Sequence, residues 1–369
     1  MIKKKLGYLR NYIFSRLHYT FSDTLRLLPR RIYYKYTYRC NLHCRMCAYV
    51  DRYEGKYVEM DYNNVKEVFS GIKEAYRGKL YLPYITITGG EPFIMDDLNS
   101  LLVYLEELGF RVEVVTNATM IDESHVKTLL ESKNVTLQVS LDGTAEVHNS
   151  VRGGQNCFGI SISNLEKLFS GGFPFNRVVF NYAISSLNYT SINDFVEYIL
   201  GLGWKPNFEF EFLNNFTTGA SLESLKAESH IHLGDENIDC CFEETELNRV
   251  DADVLSDQII KVRETGKRNN ANIVFKPSIP ISRLNDYFYS YDDYIFTDRC
   301  LEPWRSLRMG PDGMITPCGI EYEFGNINAN NLNEIYYSDK AVRFRKMFRN
   351  KNMFSVCRRC CKLKGREYY

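Results

Sequence analysis

Residues 31–213 alternate strand-like and helix-like segments about six times, and this alternation restricts the fold more than any other property of the chain. RIYYKYT (31–37) is rich in Tyr and Ile and reads as a strand. YITIT (84–88), RVEVVT (111–116), TLQVSLD (136–142), RVVFNYAI (177–184) and NFEFEFL (207–213) continue the series. Helical patterns lie between them. MDYNNVKEVFSGIKEAYRG carries Val65, Val68, Phe69 and Ile72 on one side. DDLNSLLVYLEELG is stopped by Gly109, and ESHVKTLLESK and segments near 160–170 and 191–202 complete the set. Strands separated by helices form a parallel sheet with crossover helices. Six units do not close an eight-stranded barrel. The expected fold is α/β, a partial (β/α)6 barrel of TIM type followed by a small Cys-rich domain. In such folds chemistry sits at the carboxyl ends of the strands.

The chain divides by pattern. Residues 1–30 form a basic amphipathic extension, 31–215 the barrel core, 216–296 an insert and linker, and 297–369 the Cys-rich domain. The stretch 214–250 loses the alternation and turns polar and acidic, as an insert or lid would, before a helix near 253–268 and the strand IVFKP. A composition of 44% hydrophobic and 25% charged residues is that of a soluble globular protein. No run approaches the roughly 18 apolar residues that span a bilayer. The basic start lacks the apolar run and cleavage site of a secretory signal, so a cytoplasmic location is expected. Net charge is zero, yet residues 1–39 hold ten Lys/Arg against one Asp, and 340–369 hold eleven against one Glu. Basic ends packing on an acidic body is the plainer reading. Peripheral contact of the N-terminal helix with an anionic membrane is the functional one. No nucleic-acid motif accompanies the charge, so no nucleic acid is expected as partner.

Eleven cysteines stand at 40, 44, 47, 157, 240, 241, 300, 318, 357, 360 and 361. An odd number at these spacings argues against a complete disulfide framework, and the grouping suits metal or cluster ligation. Cys40-Asn-Leu-His-Cys44-Arg-Met-Cys47 directly follows the first strand. Three thiolates on one loop can hold an iron–sulfur cubane and leave its fourth iron open. Zinc normally asks for four ligands, and His43 is poorly placed within the loop to be the fourth. Behind later strands come Gly89-Gly90-Glu91-Pro92, Thr116-Asn117 and Ser140-Leu-Asp142-Gly143, with His148 and Arg152 downstream. Each short motif alone is ordinary turn chemistry. Four in order, each behind a strand, are not.

The ordered set resembles the signature of radical S-adenosylmethionine (SAM) enzymes, over roughly residues 31–215. The resemblance implies that Cys40, Cys44 and Cys47 hold a [4Fe–4S] cluster whose open iron takes the amino and carboxylate groups of SAM. It implies that Met46 lies near the adenine and that Gly89, Gly90, Glu91 and Pro92 hold the amino group. Asn117 would lie close to the cofactor, and Ser140 and Arg152 would bind the methionine carboxylate.

Downstream, Cys300 precedes Pro303-Trp304, then Met309-Gly-Pro-Asp-Gly313, Cys318, Gly325-Asn-Ile and Cys357-Arg-Arg-Cys360-Cys361. Four thiolates from separate loops suit a second cluster or a zinc ribbon, and spacing does not separate these. The segment resembles the SPASM domain appended to many radical enzymes, but the full domain has seven Cys and two clusters. Here only Cys361 remains, so one auxiliary [4Fe–4S] cluster is expected on Cys300, Cys318, Cys357 and Cys360, with Cys361 able to replace Cys360. Cys157, Cys240 and Cys241 have no ligand spacing and read as small packing side chains.

The expected activity, as the resemblance implies, is reductive cleavage of SAM to a 5′-deoxyadenosyl radical that abstracts hydrogen from substrate. An electron donor such as flavodoxin or ferredoxin is the implied partner. A small-molecule or glycan-type substrate is favoured, because no appended peptide-binding domain is visible. Maturation of a ribosomally made peptide is the second reading, and a non-catalytic iron–sulfur carrier the third. Glu209, Glu211 and Asp298 are candidate base or substrate contacts, although carboxylates on strands are more often ion-pair partners.

Overall fold

The computed structural model describes residues 16–17, 19–21, 26–47, 58–213, 249–290, 300–320, 322–351 and 353–362. Cys240, Cys241, Asp298, most of the N-terminal extension and residues 216–248 and 291–296 of the insert lie outside these residues. Seven parallel strands run in chain order: β1 (Arg31–Thr37), β2 (Tyr84–Gly89), β3 (Arg111–Thr116), β4 (Val135–Ser140), β5 (Val178–Ile184), β6 (Asn207–Phe212) and β7 (Asn272–Lys276). The helices are α1 (Tyr62–Ala75), α2 (Leu98–Glu107), α3 (Glu123–Glu131), α4 (Ala145–Arg152), α5 (Cys157–Ser170), α6 (Ile192–Gly201) and α7 (Ala252–Arg268). The sequence pattern gives all but α4, a short helix of polar composition that breaks no strand–helix rhythm.

The Cys-rich segment does not make a sheet of its own. Strand β8 (Ser306–Met309) pairs in parallel with β1, and β9 (Met314–Thr316) and β10 (Gly325–Asn326) continue antiparallel from it. The result is one ten-stranded sheet in the order β10-β9-β8-β1-β2-β3-β4-β5-β6-β7. It is an open, partial barrel of seven units with β8 added on the far side of β1. Beyond it lie α8 (Leu284–Tyr289), α9 (Leu332–Tyr336) and α10 (Asp339–Lys351).

Alternation along each strand sorts the two faces. Ile32, Tyr34, Ile85, Ile87, Val112, Val114, Leu137, Val139, Phe180 and Phe210 are fully buried or nearly so, and belong to the core. Tyr34 meets Phe69 of α1 edge-on, with ring centroids 5.6 Å apart. The local signals behind α1 are plain: Asp61 accepts from Asn63 N at 2.9 Å and Asn64 N at 3.0 Å as its cap, and Val65, Val68, Phe69 and Ile72 are the buried side.

The opposite face is polar. Arg31, Tyr33, Tyr84, Glu113, Thr136, Gln138, Ser140, Asn181, Glu209, Glu211 and Lys276 occupy the alternate positions and are half-buried. A sheet face built this way lines a cavity rather than a packed interior.

Among the described residues, basic side chains of the two ends meet rings and carbonyls as well as carboxylates: Arg31 pairs with Glu113 and Arg39 with Glu59, each at 2.9 Å. Arg349 of α10 donates to the carbonyl of Tyr19 at 2.5 Å and lies over the rings of Tyr19 and Trp304. Arg345 donates to Tyr336 O at 2.9 Å and covers that ring at 4.2 Å. Arg359 donates to Tyr287 O at 2.7 Å. Tyr19, from the N-terminal extension, is buried against Trp304. Among the described residues no helix is long and apolar enough to cross a membrane.

Candidate active site at the strand ends

The three-cysteine loop is fastened on two sides. On one side, the end of β2 runs along its entry. Gly90 N donates to Thr37 O at 2.7 Å and Glu91 N to Arg39 O at 2.9 Å. A Cβ at Gly89 would fall 2.1 Å from Thr37 O, and one at Gly90 2.0 Å from Arg39 O, so only glycine permits this approach. On the other side, the end of α4 matches the loop residue by residue. Arg45 N donates to Val151 O at 3.0 Å, Arg152 Nη1 lies 3.7 Å from Cys44 Sγ, and a Cβ at Gly153 would fall 2.4 Å from His43 O. Gly153 has φ of 68°, which suits glycine and ends the helix.

Glu91 turns inward. Its carboxylate is buried and accepts from Thr116 Oγ1 at 2.7 Å, Asn117 N at 2.7 Å and Phe93 N at 3.1 Å. It therefore joins β2 to β3. Burial pushes its pKa up to about 7 despite these donors. Asn117 is likewise engaged within the protein: its Oδ1 accepts from Thr119 N at 2.8 Å and Nδ2 donates to Asn41 Oδ1 at 3.1 Å. Asn41 belongs to the cysteine loop and in turn donates to Thr119 Oγ1 at 2.8 Å. Asn41, Thr119 and the Glu59–Arg39 pair at 2.9 Å, which steadies the loop entry, escape sequence reasoning because their partners lie far off in the chain.

Asp142, fully buried behind β4, accepts from Ala183 N at 2.8 Å and pairs with Arg152 at 2.5 Å. Burial alone would lower the pKa of Arg152, but Asp142 and then Cys44 more than offset it and keep the guanidinium charged. His148 accepts the N–H of Asp142 at 3.1 Å, and burial and the charge of Arg152 hold its pKa far down. Ser140 ends β4 on the cavity face, in register with Asn181 of β5, which faces Glu209 of β6. Met46 is half-buried in the loop between Cys44 and Cys47, and Pro92 opens a single 3-10 turn.

The donor set fits a cluster. Burial, then Glu91, Cys44 and Cys47, push the Cys40 thiol up to about 11, although a backbone N–H from Leu42 opposes them. Cys44 is raised by burial against the opposing pull of Arg152. Three thiols in one another's field repel as thiolates, and bound iron relieves that repulsion. Among the described residues no three His, Cys, Asp or Glu groups close on a single metal ion. Orphaned buried atoms also mark the cavity: Arg152 Nε and Asn181 Oδ1 have no protein partner.

Cys300, Cys318, Cys357, Cys360 and Cys361 also gather. Cys300 is raised well above the ordinary range by burial, then by Cys357 and, more weakly, Cys318. Cys360 is raised first by its hydrogen bond with Cys361, then by burial and by Cys300 and Cys357. The next residue, Lys362, reaches the barrel cavity, with Nζ 5.5 Å from the ring centroid of Tyr33 and within the field of Glu211 and Glu302. Glu209 forms an ion pair with Lys276. Cys157 is buried and donates to Asn149 Oδ1 at 3.1 Å, a packing role as the sequence suggests.

The Radical SAM superfamily model matches residues 34–199, and the model of the SPASM iron–sulfur cluster-binding domain matches residues 300–361. The chain is similar to the sporulation killing factor maturation protein SkfB of Bacillus subtilis, 25% identical over 80% of this chain and 61% of that protein. It is also similar to an AdoMet-dependent heme synthase of Methanosarcina barkeri, 30% identical over 47% of this chain and 48% of that protein. It therefore spans about half to three-fifths of the length of these curated relatives. The fold is shared with Streptococcus suis SuiB bound to precursor peptide SuiA: TM-score 0.64, 16% identity, covering 94% of this chain and 74% of that one.

Proposed function

The chain belongs to the radical SAM superfamily and carries a SPASM-like iron–sulfur domain, and on that premise we propose that it is a maturase that modifies a peptide by hydrogen abstraction. The two domains imply [4Fe–4S] clusters and SAM. When bound, these supply one electron and a 5′-deoxyadenosyl radical. The chain's own residues do the rest. Cys40, Cys44 and Cys47 ligate the first cluster. The Gly89–Pro92 turn and Ser140 present backbone and hydroxyl groups to SAM, with Met46 beside it and Arg152 Nε left for its carboxylate. Glu91 and Asn117 hold that cradle together. Cys300, Cys318, Cys357 and Cys360 ligate the auxiliary cluster, and Cys361 hydrogen-bonds beside them.

The observation that carries the peptide reading is the unbroken polar row from Ser140 through Asn181 to Glu209, closed by Lys276 and Lys362. Amide groups of a peptide can be matched there by carbonyl, carboxylate and ammonium partners. The similarity to SkfB, which extends over four-fifths of the chain, supports the same reading. The small-molecule reading draws on the heme synthase similarity, which covers 47% of the chain. A polar, charge-paired wall suits an apolar macrocycle poorly. The test is to incubate reduced, reconstituted protein and SAM with short peptides encoded beside its gene. Peptide-dependent release of 5′-deoxyadenosine with a mass change in the peptide is expected. Stimulation by small metabolites alone would reverse the choice. No 5′-deoxyadenosine with any substrate would revive the carrier reading.

A further inference from the structure

We propose that Arg152, pinned by Asp142, is a positioning residue that donates to the sulfur of Cys44 and sets how readily the first cluster takes its electron. The inference rests on the assignment of that cluster to Cys40, Cys44 and Cys47, and adds a task for Arg152 beyond contact with SAM.

The contact is dictated by backbone. Residues 43, 44 and 45 run against 153, 152 and 151, with a hydrogen bond at one end and a glycine-only contact at the other. Between these two fixed points the side chain of residue 152 meets residue 44. Asp142 takes Nη2 at 2.5 Å, and Nη1 is then aimed at Cys44 Sγ at 3.7 Å. Asp142 is itself immobilised by the N–H of Ala183 and by the bond between its own N–H and His148. The guanidinium is nearly enclosed, its side chain 12% exposed, so water screens it little.

The consequence follows from charge. Reduction adds one negative charge to a thiolate-ligated cluster. A fixed cation at one thiolate stabilises the reduced state more than the oxidised one and raises the potential, as hydrogen bonds to cluster sulfurs do. Asp142 tempers this effect, because it adds an anion one step behind the cation.

The test is a redox titration of the reconstituted holoprotein without SAM, followed by EPR. The signal absent from Cys44→Ala identifies the first cluster. At the potential where wild type is half reduced, Arg152→Gln should show a reduced-to-oxidised ratio about tenfold lower, equivalent to about 59 mV for one electron. Arg152→Lys, which keeps the charge, should fall between the two, and Asp142→Asn should shift the other way. An unchanged midpoint in Arg152→Gln with the cluster present would overturn the proposal. If Arg152→Gln cannot assemble the first cluster, Arg152→Lys decides. A midpoint below wild type supports tuning, whereas loss of the cluster from both, with the auxiliary cluster intact, means a structural role only and overturns it. A wild type that lacks the Cys44-dependent signal would instead sink the cluster assignment.

Discussion

Asn117 binds Asn41 across 76 residues of chain, its Nδ2 donating to Asn41 Oδ1 at 3.1 Å, and thereby ties the end of β3 to the cysteine loop. The same Asn117 accepts the N–H and hydroxyl of Thr119. Asn117→Ala leaves the Thr119 N–H without its acceptor and frees the loop. A loss of about 1–3 kcal/mol in unfolding free energy is expected, measured by denaturant titration of the apoprotein. Asn41→Ala, at an exposed position, should cost about 1 kcal/mol or less but still lower the iron bound per chain after reconstitution.

Glu91 gives the apoprotein a pH dependence of definite sign. Its folded pKa is raised from 4.5 to about 7, chiefly by burial. Between these values the unfolded chain is ionised while the folded one keeps its proton, so stability falls as pH rises and flattens above about 7. The full change is about 3 kcal/mol at the level of one buried group. Glu91→Gln should flatten that slope in melts between pH 4.5 and 7. A wild-type protein growing more stable over that window, with no difference from the variant, would contradict the assignment.

How much of this was readable in advance depended on the range of the interaction. Strands β1 and β3 begin and end where their alternation says, and the motifs at Cys40, Gly89, Asn117 and Ser140 all lie at or just past the end of a strand. These are local patterns, set by residues within a few positions of one another. The pairing of β8 with β1, the match of 43–45 with 151–153, and the entry of Lys362 into the cavity join residues a hundred or more apart. No periodicity encodes them. Glu91 shows the intermediate case: its type and place were legible, but that its carboxylate joins β2 to β3 depended on three donors from Phe93, Thr116 and Asn117.

The second thiol group makes a prediction about iron. Cys318→Ala should lose about one cluster's worth of iron while the Cys44-dependent cluster remains. Cys361→Ala should retain both, if Cys360 is the ligand and Cys361 its hydrogen-bonding neighbour. Iron and sulfide analysis of the reconstituted variants checks both. Unchanged iron in Cys318→Ala would refute the auxiliary site, and loss in Cys361→Ala but not Cys360→Ala would exchange the two residues.

The ion pair of Glu209 with Lys276 separates stability from chemistry. The two side chains, 16% and 35% exposed, lie on adjacent strands at the cavity wall. Lys276→Met leaves a half-buried carboxylate without its cation, and a loss of about 1–3 kcal/mol is expected. Glu209→Gln in the same chain should recover most of it, because the neutral pair has no uncompensated charge. Neither residue joins the cysteine loop or its two fastenings at β2 and α4. Slow release of 5′-deoxyadenosine without substrate should therefore persist in the double variant, while substrate-dependent release falls. Calorimetry and product chromatography read the two effects independently. Equal loss of both kinds of turnover would mean that the pair supports the SAM cradle itself and would remove it from the substrate wall.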